Sequence, residues 1–289
     1  MTARLPDSPP VPLTPWQASL DLRFARRQGE HRGTILAASR HAGPLRIQKA
    51  LYPEGRDICH AIVLHPPAGI AGGDRLRIGV EVGPDARALL TTPGAGKWYR
   101  SVGAQAEQVV SLKVGRGGAA EWLPQESIVF AGAQARMRTT VDLEDGARYI
   151  GVETLCLGRR ASGETFSRGA LRLATDIRID GVPLWRERGR IEGGSALLDS
   201  PTGLAGFSVC STVIAAGADV DAVTLAACRR TMPTEAGAQW GVTAMPNLFV
   251  GRYLGHSAEA ARAWFVELWR ALRPVFIGRG MVVPRIWNT

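Results

Sequence analysis

Cysteine is scarce. Cys59, Cys156, Cys210 and Cys228 are the four in the chain, and no two of them form a CxxC pair. This spacing argues against a zinc ribbon or a thioredoxin-type redox site and fits a reducing compartment. Lysine is scarcer still: Lys49, Lys97 and Lys113 stand alone, so nearly all of the 35 basic charges are arginine. Against 26 acidic residues these leave a net charge of +9, which attracts acidic surfaces of some kind. The basic residues are scattered, with no recognition helix, aromatic platform or basic stripe, so nucleic acid is not an expected partner. No apolar run approaches the roughly 18 residues that would suggest a membrane helix, and the N-terminus lacks the charged-then-apolar order of a signal peptide. The expectation is a soluble, cytoplasmic protein that does not enter a membrane.

What is present suits a β-rich body. The 289 residues are 45% hydrophobic, enough for a large core, and 34 glycines with 18 prolines favour many tight turns over a helical bundle. Pro6, Pro9, Pro10, Pro12 and Pro15 remove backbone donors and make residues 1–15 a flexible arm, leaving 16–289 as one domain. Period-2 alternation then recurs: Leu76, Ile78, Val80 and Val82; Val110, Leu112 and Val114; Met137, Thr139, Val141 and Leu143; Leu171, Leu173, Thr175, Ile177 and Ile179. Turn clusters such as Gly83-Pro84-Asp85, Glu144-Asp145-Gly146 and Asp180-Gly181 separate these strands. The fold class expected is mainly β: an antiparallel multi-strand body, two-layered or helix-like, with one or two α-helices near the C-terminus. The better-marked helix starts at a Ser257 N-cap, carries the stripe Ala261, Trp264, Phe265, Leu268 and Leu272, and ends before Pro274, spanning about 257–272. A weaker one runs from about Asp221 to Arg230, where a loop fits nearly as well.

Standard catalytic signatures fail. Thr91 stands where a phosphate loop needs its first glycine and Trp98 where it needs Ser or Thr; the run from Gly115 to Ala120 opens no helix; GxSxG and HExxH are missing. The segment from Cys59-His60 through His65 to Gly72-Gly73-Asp74 concentrates metal-ligand types, yet strand alternation puts Cys59 and His65 on one face and His60 on the other. Structural side chains beside a turn and transient binding of a divalent metal both remain open. Glu121, Glu126, Glu153 and Glu164 sit among strand residues, where a carboxylate must pair, bind metal or line water. Pairing with Arg159 or Arg100, a polar internal passage, and a carboxylate-dependent hydrolase are the three readings. The terminal Pro284-Arg285-Ile286-Trp287 is apolar where termini are usually frayed, so it docks either into the protein's own core or against a partner.

Several motifs in order resemble one family, the urease accessory proteins UreD, also called UreH. They are His65-Pro66-Pro67 with Gly72-Gly73-Asp74; Thr91-Thr92-Pro93, Lys97 and Tyr99-Arg100-Ser101; Glu121-Trp122-Leu123-Pro124-Gln125-Glu126; Leu157-Gly158-Arg159 with Gly163-Glu164 and Phe166; Leu268-Trp269 with Leu272-Arg273-Pro274; and Pro284-Arg285-Ile286-Trp287. The departures are Ala68, where that family usually has Gly, and Trp98, where a smaller apolar residue is common. The resemblance implies a non-enzymatic, helix-poor scaffold with no permanently bound cofactor. It implies binding to urease apoprotein and to UreF, which recruits the GTPase UreG, with a homodimer compatible inside that complex. It also implies help in loading Ni²⁺ into urease. In that setting His65, Asp74, Glu126, Glu153 and Glu164 become the passage or transient-metal candidates. Gly72, Gly73, Lys97, Tyr99, Arg100 and Arg159 become motif residues with structural roles, and Pro284, Arg285 and Trp287 become partner-binding candidates.

Overall fold

The computed structural model describes residues 14–288; all but the last two residues of the proline-rich segment 1–15 lie outside the described residues. In chain order the strands are β1 (Gln17–Arg27), β2 (Gly33–Ala42), β3 (Arg46–Ile47), β4 (Cys59–Leu64), β5 (Gly69–Ile70), β6 (Arg75–Val82), β7 (Arg87–Thr91), β8 (Gly96–Trp98) and β9 (Ala106–Val114). They continue with β10 (Ala119–Leu123), β11 (Ser127–Val129), β12 (Gln134–Leu143), β13 (Arg148–Leu157), β14 (Ala170–Ile179), β15 (Val182–Glu192) and β16 (Val209–Ala216). Helix α1 (Ala222–Arg230), strands β17 (Gln239–Met245) and β18 (Leu248–Gly255) and helix α2 (Ala258–Ile277) complete the body.

Two large sheets face each other. The first runs β15-β14-β12-β9-β6-β1-β2, and the main path of the second runs β17-β18-β16-β13-β10-β7-β4-β3. The chain winds between them in coils: β4-β5-β6, β7-β8-β9 and β10-β11-β12 each lay a strand on the second sheet, a short strand on a side ladder and a strand on the first sheet. Equivalent strands of successive coils therefore pair in parallel, as β6 does with β9, β9 with β12, and β7 with β10. The expected helix-like β body is present, but the antiparallel pairing is corrected. Antiparallel ladders join β1 to β2 and β14 to β15 at the two edges of the first sheet; in the second they join the run β13-β16-β18-β17 and the β4–β3 edge. The physical reason lies in the turns. Gly83-Pro84-Asp85 resembles a hairpin turn locally, yet it hands the chain from β6 to the opposite sheet rather than back alongside itself.

Alternation sorts each strand between two cores. On β6, Leu76, Ile78, Val80 and Val82 are buried between the sheets while Arg75, Arg77 and Glu81 face out. The second core lies on the outer face of the second sheet, where α2 packs Trp264, Phe265, Leu268 and Leu272 against Ile150, Val213 and Phe249. Helix α2 begins as expected, with Ser257 Oγ accepting from the Ala260 N–H at 3.0 Å. It then passes through Pro274 and ends at Ile277, capped by Gly278 at φ +75°. Pro274 is exposed, so water can reach the Arg270 carbonyl that loses its helical partner, while the buried Phe276 and Ile277 hold the extra turn down. Ala68, in place of the usual glycine, adopts φ +60°, so the bend before β5 is kept at a cost in backbone strain.

Candidate functional site

Between the two sheets the first core is interrupted by a cavity of about 640 Å³. Its wall mixes apolar residues such as Ile78, Val110, Trp122 and Leu155 with His65, Lys97, Gln108, Gln125, Arg138, Glu153, Thr212, Glu187 and Arg252. Met137 and Thr139 of β12 are only half-buried because they look into this space. Among the described residues, five buried side-chain polar atoms lack a hydrogen-bond partner, and two of them belong to cavity-lining side chains: His65 Nε2 and Gln125 Oε1. Leaving such an atom unsatisfied costs about 1–3 kcal/mol each. Such groups call for polar partners inside the cavity, as water or a solvated ion supplies.

Strand register builds a polar row on the inner face of the second sheet. Glu153 on β13 lies opposite Thr212 on β16, and Thr212 lies opposite Arg252 on β18. Directly opposed residues share a face, so the three side chains form one line. Arg252 donates to Thr212 Oγ1 at 2.8 Å and, from across the cavity, to Glu187 Oε1 on β15 at 2.7 Å. Glu153 has neither a hydrogen bond nor an ion pair of its own among the described residues. Burial, reinforced by the Glu187 charge and opposed by Arg252, pushes its carboxyl up to about 7. Burial likewise lowers His65, against the pull of Asp74, which leaves its imidazole neutral at pH 7 and able to act as a ligand.

The other passage candidates do not line this cavity. Asp74 accepts from the Trp16 N–H at 2.7 Å and the Ala71 N–H at 2.8 Å, pinning the start of β1 to the Gly72-Gly73 bend. Gly72 must stay small, since a Cβ there would sit 2.3 Å from Ser101 Oγ. Glu126 lies 3.4 Å from Arg262, and Glu164 is held by Arg159 at 2.8 Å and the Ala131 N–H at 3.1 Å. The Arg159 guanidinium holds the Glu164 carboxyl below its ordinary value. Among the described residues no group of three or more His, Cys, Asp or Glu is arranged to hold a metal. Cys59 and His60 point to opposite sides of β4, Cys59 into the first core and His60 toward Glu54. The carboxylates weighed for a hydrolase are dispersed as well: Glu121 faces α2, Glu153 the cavity, and Glu126 and Glu164 separate arginines.

Sequence reasoning missed the ionic cluster beneath α2. Arg273, fully buried, donates to Glu54 Oε1 and Oε2 at 2.6 Å and to Glu121 at 3.0–3.2 Å. His60 Nε2 lies 2.6 Å from Glu54, and Trp269 Nε1 donates to Glu121 at 2.6 Å. Burial would raise Glu54, but the bonds from His60 and Arg273 outweigh it and bring it down to about 2. The signal available was an arginine one position from the apolar stripe, next to Leu272 and four residues after Trp269.

The sequence model of the UreD urease accessory protein family matches residues 17–288. The chain belongs to that family. Its relatives include the urease accessory protein UreD of Dechloromonas aromatica (strain RCB), 54% identical over 292 residues that take in all of both chains. The corresponding protein of Azoarcus sp. (strain BH72) is 54% identical over 95% of this chain and 94% of its own. That of Janthinobacterium sp. (strain Marseille) is 49% identical over 94% and 92%. In this UreD-family chain the terminal motif folds back on the body: Pro284 is buried, Arg285 is exposed, and Trp287 donates to Thr91 Oγ1 at 2.7 Å while packing on Phe265 and Trp269. The expected partner anchor Trp287 is thus engaged within its own chain. Among the described residues no helix is long and apolar enough to cross a membrane.

Proposed function

We propose that this chain is a non-catalytic cytoplasmic maturation factor that binds urease apoprotein together with UreF, and through UreF the GTPase UreG. In this reading it gives Ni²⁺ a sheltered polar route into urease. The observation that carries it is the cavity, whose wall holds two unpartnered buried polar atoms, His65 Nε2 and Gln125 Oε1, and the unpaired Glu153. A passage differs from a storage site in how it binds. Carboxylate and amide oxygens hold Ni²⁺ less tightly than thiolate or several imidazoles would, so an ion can enter and leave. Glu153 suits transit further because, with its carboxyl at about 7, it is part protonated at neutral pH, so a cation must displace a proton to bind and a returning proton helps to release it. His65 supplies one neutral nitrogen, and Gln125 offers an amide oxygen with no protein donor. GTP hydrolysis belongs to the partner.

Urease subunits and the other maturation proteins co-expressed with this chain, without it, or with Glu153→Gln provide the test. Nickel per urease active site and ureolysis should be lost without the chain and reduced at least about threefold by Glu153→Gln at limiting nickel, with the complex still assembling. Full metallation without the chain would remove the maturation reading. Full metallation with both Glu153→Gln and His65→Gln would remove the passage and leave the scaffold.

A further inference from the structure

Three loops meet at the end of the side ladder, around residues 99–105, 130–133 and 158–169, and their backbones are tied together. The Ser101 N–H donates to the Gly132 carbonyl at 3.0 Å, the Gly132 N–H to the Arg168 carbonyl at 2.8 Å, and the Gly158 N–H to the Val129 carbonyl at 2.8 Å. On this fixed frame stand Tyr99 and Phe130, packed edge to face at 5.2 Å, with the Arg159 guanidinium 4.6 Å above the Phe130 ring. Val102 at the neighbouring loop tip is fully exposed, and Tyr99 is exposed as well. The charge here is one-sided: Arg100, Arg159, Arg160 and Arg168 against Glu164 alone, a local balance of 4 − 1 = +3.

Arg159 is occupied by Glu164, but Arg100 and Arg168 have no carboxylate partner among the described residues. They flank Gly132, where a Cβ would lie 2.8 Å from Arg100 Cγ and 3.5 Å from Arg168 Nε, and they border a surface cleft of about 440 Å³ with Ser101 and Gln134. Neither the fold nor the cavity uses these two guanidiniums. Planar guanidinium forks match carboxylates two bonds at a time, and Tyr and Arg are the types that carry binding energy at interface centres. A frame already fixed by backbone hydrogen bonds loses little freedom on binding.

We propose that this face docks an acidic segment of a partner protein. One carboxylate side chain of that segment is held between Arg100 and Arg168, and an adjacent apolar side chain rests on Tyr99 and Phe130. The proposal stands apart from the nickel passage, since it needs neither the cavity nor a metal.

The test uses the full-length chain and a fluorescein-labelled nonapeptide of Asp and Glu with one central Phe, read by anisotropy. Its neutral Asn/Gln counterpart and a single-stranded RNA nonamer serve as comparison ligands. The acidic peptide should bind, weaken with added salt, and lose at least about tenfold in affinity in Arg100→Ala/Arg168→Ala. The Arg100→Lys/Arg168→Lys pair, which keeps the charge and removes the forks, should lose an intermediate amount. Arg75→Ala/Arg77→Ala, which removes two exposed charges from β6, should stay within about twofold. Circular dichroism establishes that each variant is folded. No binding by the unaltered chain, equal affinity for the neutral peptide, equal affinity in the alanine pair, or tighter binding of the RNA would each overturn the proposal.

Discussion

Glu121 and Glu153 stand on neighbouring strands of one sheet, β10 and β13, and face opposite ways. Glu121 points outward under α2 into the guanidinium of Arg273 and the indole N–H of Trp269, with Glu54 and His60 completing the cluster. Glu153 points inward, into a cavity where it has no hydrogen-bond partner. Burial pushes both carboxyls up. The difference is what answers it. Under the helix, the charges are matched by donors placed at bonding distance, so the cluster locks α2 to the sheet. In the cavity, no donor sits at bonding distance of Glu153 and only the more distant charge of Arg252 opposes its burial, which leaves the carboxylate open to a mobile partner. A buried ionisable group alone therefore does not mark a functional site; one that its own protein leaves unmatched is the better candidate.

The largest effect should come from breaking the matched cluster at its centre. Arg273→Met keeps the bulk of the side chain but leaves two carboxylates buried around no cation, and should cost about 3–5 kcal/mol by denaturant midpoint. Adding Glu54→Gln and Glu121→Gln to the same chain should recover much of that loss, because the three groups are then removed as a unit. A single Arg273→Met chain within about 1 kcal/mol of the original would show that the cluster is not a lock.

Next in size is Glu54→Gln, which leaves Arg273 paired with Glu121 and should cost about 2 kcal/mol at pH 7. Glu54 falls from 4.5 to about 2 on folding, so its contribution is complete above pH 4.5 and lost as pH drops toward 2. Stability curves of the original chain and Glu54→Gln should therefore converge as pH is lowered from 5 to 3. A constant gap across that range would mean that the stabilisation does not come from the ionised carboxyl.

The sequence carries much of this comparison, but not the partners. Strand alternation placed Leu76 to Val82 on one buried face, and the same rule divided Cys59 from His60 as the structure does. The local character of turns is what misled: Gly83-Pro84-Asp85 has the same chemistry whether the chain folds back or crosses to another sheet, so pairing direction was not legible. Candidate carboxylates were recognisable as residues out of place in strands, yet telling Glu121 from Glu153 needs Arg273, which is 152 positions from Glu121. Glu54 and Glu187 sit in ordinary polar settings in sequence, and Arg252, though it interrupts the apolar run from Leu248 to Leu254, carries no mark of its partner there. Only folding brings Glu54 to Arg273 and Glu187 to Arg252.

The smallest effect has the opposite sign and sharpens the comparison most. The Glu153 carboxyl rises from 4.5 to about 7 on folding, so the folded chain binds this proton more tightly than the unfolded chain does. Its ionised form is therefore a burden that grows as pH climbs from 4.5 through 7, and is absent at the acidic end of that range. Glu153→Gln keeps the shape without the charge. It should match the original chain in thermal midpoint near pH 4.5 and exceed it at pH 8, by about 1 kcal/mol once water in the cavity is allowed to soften the burial. That gain should accompany poorer nickel delivery, as expected where a destabilising group is kept for its function. A Glu153→Gln chain that is less stable at pH 8 would mean that the carboxylate is matched after all, and the distinction between the two faces of this sheet would fail.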